Sequence, residues 1–259
     1  MPAHPLALQV FSVRNEFKND PAGTLKRVAD AGYGAVEFFG APNHEPDELR
    51  QFLDAAGLQC AGWHWPLNLF DDDKLDDAIA FHKALGNTFA VVPAIPEDLR
   101  KTRQDWLGLA NRFNQLAEHL ASHGLRTGYH NHHVEFAPLD GETPWDTFFS
   151  NTDDRVVMQL DLGNAARGGA DVVDILRKYP GRATQIHLKP YSQRAGKDDP
   201  RAGFRPVIGE DDLDWPTILE LCRSTAGTEW YIVEYESDAY EPLEAVARCR
   251  QALVGFGLK

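Results

Sequence analysis

Short apolar runs alternate along the chain with longer amphipathic ones. The first run, "LALQVFSV" at residues 6–13, predicts a strand. The segment "DPAGTLKRVADAG" then opens at Asp20-Pro21 and closes at Gly32, which is how a capped helix begins and ends. The pair recurs. "YGAVEFFG", "LQCAGWHW", "TFAVVP", "LRTGYHNH", "RVVMQLDLG", "ATQIHLKP" and "EWYIVEYE" read as strands. They are followed by helices starting at Pro46, at Asp72, at Thr102, at Thr143-Pro144, within "ADVVDILRKYP", within "DWPTILELCRS" and at Pro242. Gly32, Gly57, Gly86, Gly124 and Gly227 each fall between a helix and the next strand, where a left-handed residue is wanted.

Strict alternation implies parallel strands joined by crossover helices. Eight such units in 259 residues predict an α/β fold, a (β/α)8 TIM barrel, as one domain over residues 1–259. The competing open doubly wound sheet lacks its usual GxGxxG loop after a strand. One connection, from Lys189 to Asp214, is long, rich in glycine and proline, and charged. Loops of that length in compact domains are usually functional or mobile.

Charge narrows the partners. A formal net charge of −13 repels phosphate backbones, so no nucleic-acid partner is expected. No run approaches a membrane span, and "MPAHPLALQV" lacks the pattern of a secretion signal. Cys60, Cys222 and Cys249 are scattered and odd in number, which reads as reduced thiols in a cytoplasmic protein.

Barrels of this kind carry their chemistry where the strands end. The polar residues there are Glu37 on strand two, His64 on strand three, and His130, Asn131 and His132 on strand five. Asp161 follows on strand six, His187 and Lys189 on strand seven, and Glu234 and Glu236 on strand eight. Alternation puts His130 with His132, His187 with Lys189, and Glu234 with Glu236 on shared faces. Carboxylates clustered in a partly buried mouth need compensation, and a divalent cation is the simplest. Mixed nitrogen and oxygen donors suit Mn²⁺, Zn²⁺, Fe²⁺ or Co²⁺ better than Ca²⁺. Bland readings stand beside these: Asp161 also suits a helix N-cap, and His64 between two tryptophans also suits packing.

The ordered set "LQVFSVR", "GYGAVEFFG", "YHNHHVEF", "LDLGN", "IHLKP", "GEDDLDW" and "IVEYESD" resembles the sugar phosphate isomerase/epimerase family. This is the xylose isomerase-like barrel group that includes ketose 3-epimerases, hydroxypyruvate isomerases and inosose dehydratases. The resemblance implies one divalent metal, Mn²⁺ first, with Zn²⁺, Co²⁺, Fe²⁺ or Mg²⁺ as alternatives. It implies Asp161, His187 and Glu234 as ligands. The family's strand-five Glu falls at His130, so His130 is expected as the fourth ligand, with Glu135 in the following loop as the fallback. His132 is expected as an acid/base, Glu234 as ligand and base, and Lys189 as a donor to a developing oxyanion. Glu37, His64, Asn164, Arg205 and Glu236 are the candidate substrate contacts, with Asn164 standing where the family often has His.

The activity implied is isomerisation or epimerisation of a small keto-sugar or polyol through proton abstraction beside a carbonyl. A dehydratase acting on a keto-inositol or keto-sugar is the runner-up. A non-catalytic sugar-binding protein or partner subunit is the alternative of another class, and homo-oligomerisation stays open. An abasic-site endonuclease of the same barrel group is disfavoured by the charge.

Overall fold

The computed structural model describes residues 5–258; the first four positions, part of the stretch read as lacking a secretion signal, and Lys259 lie outside them. The eight strands are β1 (Ala7–Gln9), β2 (Ala35–Phe39), β3 (Gln59–His64), β4 (Phe89–Val92), β5 (Arg126–His130), β6 (Val157–Asp161), β7 (Gln185–Leu188) and β8 (Trp230–Val233). All pair in parallel, each with its sequence neighbours, and β1 closes on β8. The helices are α1 (Arg14–Asn19), α2 (Pro21–Asp30), α3 (Pro46–Ala56), α4 (Leu75–Leu85), α5 (Arg103–Ala121), α6 (Pro144–Phe149), α7 (Leu162–Arg167), α8 (Val172–Lys178), α9 (Trp215–Ser224) and α10 (Pro242–Gly255). The closed parallel barrel is the architecture expected from the pattern.

Two differences bear on the site. The first strand is shorter than the apolar run suggests. Gln9 turns its side chain back to accept from the backbone N–H of Phe11 at 3.1 Å, and Val10–Val13 winds into a 3₁₀ turn that leads into the unforeseen α1. The other is α7, which starts directly at the end of β6. Asp161 caps it by accepting from the backbone N–H of Asn164 at 2.7 Å.

The barrel interior is layered because strand side chains alternate and neighbouring strands are in register. The lower layer is apolar: Ala7, Ala35, Ala61, Phe89, Val91, Val157, Trp230 and Ile232 form a core of their own. A separate and larger core lies between strands and helices and includes Leu8, Val36, Tyr129, Leu160 and Val233. Above the lower layer, Gln9 is paired in register with Glu37, and Gln159 with Gln185. All four are fully buried. Gly62 makes room for them, since a Cβ there would lie 2.8 Å from Glu37 Oε1 and 3.0 Å from Gln185 Nε2. The next register pair up is Asp161 with His187.

Candidate metal centre

Each donor is placed by its strand. His130 ends β5, Asp161 ends β6, His187 lies in β7, and Glu234 follows β8. All four are buried. One ligand atom from each lies within 4.8 Å of the others, so the four converge as a group able to hold a metal ion. His64, His130 and His187 form an overlapping group. His64 faces the barrel interior, stacked on His187 with centroids 5.0 Å apart. Its neighbours Trp63 and Trp65 pack together with Phe81 and His82 of α4.

His187 stands between two carboxylates. Its Nδ1 is 2.7 Å from Glu234 Oε2 and its Nε2 is 2.7 Å from Glu37 Oε2. Burial alone would lower its pKa, but Glu37 and Glu234 together overcome that and raise it to about 10. Glu37 is held below the usual carboxylate range: burial opposes this, and the His64 and His187 rings and the bonds from His187 and Gln159 outweigh burial. Burial raises Asp161 to about 6 against the pull of Lys189. Glu234 stays well below the ordinary value despite burial, because Lys189 and His187 hold its charge.

Lys189 is the buried ammonium of the site. Its Nζ lies 2.9 Å from Glu236 Oε1, 3.6 Å from Glu234 Oε1 and 3.8 Å from Asp161 Oδ2. Burial is the largest influence and disfavours the charge, but these carboxylates raise its pKa above the usual value. Glu236, with its side chain 36% exposed, sits at the rim, where partial burial and then the Glu234 charge push it up to about 7. His132 is lowered to about 4, by burial first and then by Lys189. His130 is lowered well below its ordinary value, by burial first and then by the neighbouring rings. Both rings are therefore neutral imidazoles at ordinary pH, as ligands and proton acceptors must be.

The residues fit a divalent cation. Glu37, Asp161 and Glu234 are three buried carboxylates facing one buried ammonium, and a proton on His187, which a bound cation would displace, makes up part of the difference. Two imidazoles and two carboxylates are a donor set for Mn²⁺, Fe²⁺, Co²⁺ or Zn²⁺ rather than for Ca²⁺.

The remaining sequence candidates divide by position. Glu135 lies outside the group: Tyr129 Oη donates to its Oε1 at 2.7 Å, and the backbone N–H of His132 donates to its Oε2 at 2.8 Å. Glu37, expected at the substrate, is fully buried below the group. Asn164 donates from Nδ2 to Asp161 Oδ2 at 3.0 Å, so Asp161 is at once a helix cap and a member of the group. Arg205 is exposed on the long β7–α9 connection, where its carbonyl accepts from Tyr235 Oη at 2.6 Å. That connection is ordered around Tyr191 and Phe204, and the Phe204 ring lies over Lys189 Nζ at 5.3 Å. A cavity of about 210 Å³ opens beside β1 and β8, lined by Ser12, Arg14, Tyr235 and Glu236 among others.

Sequence reasoning passed over Gln9, Gln159 and Gln185, which carry the group from below, and gave Asn131 no role. Asn131 extends the β5–β6 ladder: its Nδ2 donates to the Asp161 carbonyl at 3.0 Å and its Oδ1 accepts from the Asp161 N–H at 2.8 Å. The signal was present in the alternation. Gln159 and Gln185 stand two positions before Asp161 and His187, on the same inward face.

A sequence profile described as "Xylose isomerase-like TIM barrel" matches residues 25–253. The chain belongs to the xylose isomerase-like TIM barrel family. Among curated relatives, it is 26% identical over 242 residues to the rhizopine catabolism protein MocC of Rhizobium meliloti, a match covering 83% of this chain and 74% of that one. It is 30% identical over 161 residues to an inosose dehydratase of Clostridium botulinum (strain Alaska E43 / Type E3), covering 57% of this chain and 53% of that protein. Among solved structures, a sugar phosphate isomerase/epimerase from Parabacteroides distasonis superposes with a TM-score of 0.82 at 25% identity, covering 96% of this chain and 92% of that one. Family members thus include epimerases and dehydratases, which supports an enzymatic role. Among the described residues no helix is long and apolar enough to cross a membrane.

Proposed function

We propose that the chain, acting as one domain over residues 1–259, is a metal-dependent enzyme that removes the proton beside a carbonyl of a small keto-sugar or related polyol. Isomerisation or epimerisation is the outcome. The observation that carries this reading is the convergence of His130, Asp161, His187 and Glu234 at the C-terminal mouth of the barrel. These four would hold the cation, Mn²⁺ first. When bound, such a cation supplies Lewis acidity to the carbonyl and the adjacent hydroxyl oxygen of the substrate.

The chain's own groups do the rest. Glu234 accepts the proton from carbon. His132, a neutral ring beside His130 with centroids 5.4 Å apart, exchanges a proton with the substrate from a second position. Lys189 places a fixed positive charge where oxyanion character develops. Glu236, which pairs with Lys189 at the rim, also lines a cavity with Arg14 and Ser12. A cytoplasmic setting fits the three unpaired thiols, Cys60, Cys222 and Cys249.

A specific observation favours a second reading. Strand five ends in His130 where the resemblance to the epimerases implies Glu, with His132 just beyond it, and the curated relatives include inosose dehydratases. In a dehydration, Glu234 takes the proton from carbon, the C–O bond of the β-hydroxyl breaks, and His132, which must first take up a proton from solvent to act as an acid, gives that proton to the hydroxyl so that it leaves as water.

One experiment separates these outcomes. Metal content is measured, and a panel of keto-sugars and keto-inositols is incubated in D₂O with the protein and with Asp161→Ala and Glu234→Ala. The expected result is stoichiometric metal in the parent, loss of metal in both variants, and deuterium exchange beside the carbonyl only in the parent. Exchange without loss of water marks an isomerase or epimerase, and loss of water marks a dehydratase. A parent that binds no divalent metal, or variants that keep full turnover, would overturn the proposal.

A further inference from the structure

The polar layer beneath the donors has a direction. At one end the backbone N–H of Phe11 donates to Gln9 Oε1, which turns Gln9 Nε2 toward Glu37 Oε2 at 2.7 Å. At the other end Gln185 Nε2 lies 2.8 Å from the carbonyl oxygen of Ala61, which only accepts. Gln185 Oε1 must then accept, and it does so from Gln159 Nε2 at 2.9 Å. The same Gln159 nitrogen donates to Glu37 Oε1 at 2.7 Å, so a second acceptor fixes the same orientation. Gln159 Oε1 is left facing upward as an acceptor. His64 Nε2 approaches it at 2.6 Å and His130 Nδ1 at 2.9 Å.

We infer that Gln159 is a positioning residue that sets the ring protons of two histidines in opposite senses, His130 as the Nδ1–H tautomer and His64 as the Nε2–H tautomer. An amide oxygen has two lone pairs and no proton, so both rings must present N–H to it. His130 Nε2 is thereby left with its lone pair, and this is the nitrogen that lies 3.7 Å from Asp161 Oδ2. A carboxylate at the strand-five position would need no such support, because either of its oxygens can bind. An imidazole does need it: with the other tautomer, Nε2 carries a proton and cannot act as a donor. Outer hydrogen bonds of this kind commonly fix the tautomer of a metal-binding histidine. Here the fixing group is an amide, itself locked by the buried Glu37 carboxylate and, through Gln185, by the Ala61 carbonyl. The inference rests on His130 belonging to the metal group proposed above.

The test is a long-range ¹H–¹⁵N correlation spectrum of ¹⁵N-histidine protein, stripped of metal and held at mildly alkaline pH. It is recorded beside titrations with Mn²⁺ and with Co²⁺. His130→Gln and His64→Gln assign the two rings. In the parent, His130 should show a protonated Nδ1 and an unprotonated Nε2, and His64 the reverse. Gln159→Met removes the acceptor at similar volume. It should lose the His130 signature and weaken metal binding by about 10- to 100-fold. An Nε2–H tautomer on His130 in the parent overturns the inference, and this measurement stands even if Gln159→Met fails to fold. Unchanged tautomer and affinity in Gln159→Met overturn it as well. Full metal affinity in His130→Gln fails differently: it removes His130 from the metal group and leaves the tautomer result to be read by itself.

Discussion

His82 predicts how stability responds to acid. It sits on α4, is 1% exposed, and packs against Trp65 with ring centroids 4.4 Å apart. Asn87 is locked by its own backbone neighbour: its Oδ1 accepts from Phe89 N at 3.1 Å and its Nδ2 donates to Phe89 O at 2.8 Å. The same Nδ2 lies 3.0 Å from His82 Nδ1, which must therefore accept. A second proton on the ring would face an N–H donor, and Nε2 already has no hydrogen-bond partner among the described residues. Burial accordingly drops the ring from its ordinary value of 6.5 to about 3. The unfolded chain binds this proton below about pH 6.5 while the native state does not until about pH 3, so stability falls as pH falls through that window. At about pH 5 the difference is worth about 2 kcal/mol, and at about pH 8 almost nothing. The assay is urea unfolding of metal-free protein at about pH 8 and about pH 5, with His82→Gln as the comparison. The variant keeps an acceptor for Asn87 and cannot titrate. Its stability relative to the parent should improve by about 2 kcal/mol on moving to the lower pH, because distant groups titrate alike in both proteins and cancel. An equal difference at the two pH values would refute the reasoning.

Two substitutions probe the site itself. Glu135→Ala removes the acceptor for Tyr129 Oη and for the backbone N–H of His132. It should cost about 2 kcal/mol of stability yet keep stoichiometric metal by elemental analysis, and loss of the metal would instead make Glu135 a ligand. Lys189→Met leaves Asp161, Glu234 and Glu236 without their buried cation. The metal-free variant should lose about 3 kcal/mol or more, and Mn²⁺ should raise its melting temperature by more than it raises the parent's; equal shifts would show that Lys189 does not compensate the carboxylates.

The barrel was legible because its signals are local. Most helices end near a glycine, and Gly32, Gly57, Gly86, Gly124 and Gly227 adopt the positive φ that such ends require. The donors were legible for a related reason: a Glu, Asp or His closing an apolar strand stands out against its neighbours. Depth was not legible. Glu37 sits on β2 much as Asp161 sits on β6, yet register pairs Glu37 with Gln9 in the layer below, and nothing in a single strand states its height in the barrel. The glutamines were missed because one amide in an apolar run looks neutral, and its meaning comes from partners more than twenty residues away in sequence. The helix α7 was missed because Gly163 argues against a helix. The structure supplies the reason for the glycine: a Cβ there would lie 2.8 Å from the Lys189 carbonyl oxygen.

The division of the barrel interior into an apolar lower layer and a polar upper one bears on how such a chain can change over generations. Ala7, Ala35, Phe89, Val157 and Ile232 belong to an apolar plug inside the barrel. Polar groups above it can be exchanged one at a time while the plug keeps the strands in register. The amide layer between them is the adaptor: it can re-aim its lone pairs and protons to suit a new ligand without disturbing the apolar packing underneath. Novel chemistry on this scaffold would then be traced through the glutamines as much as through the ligands they support.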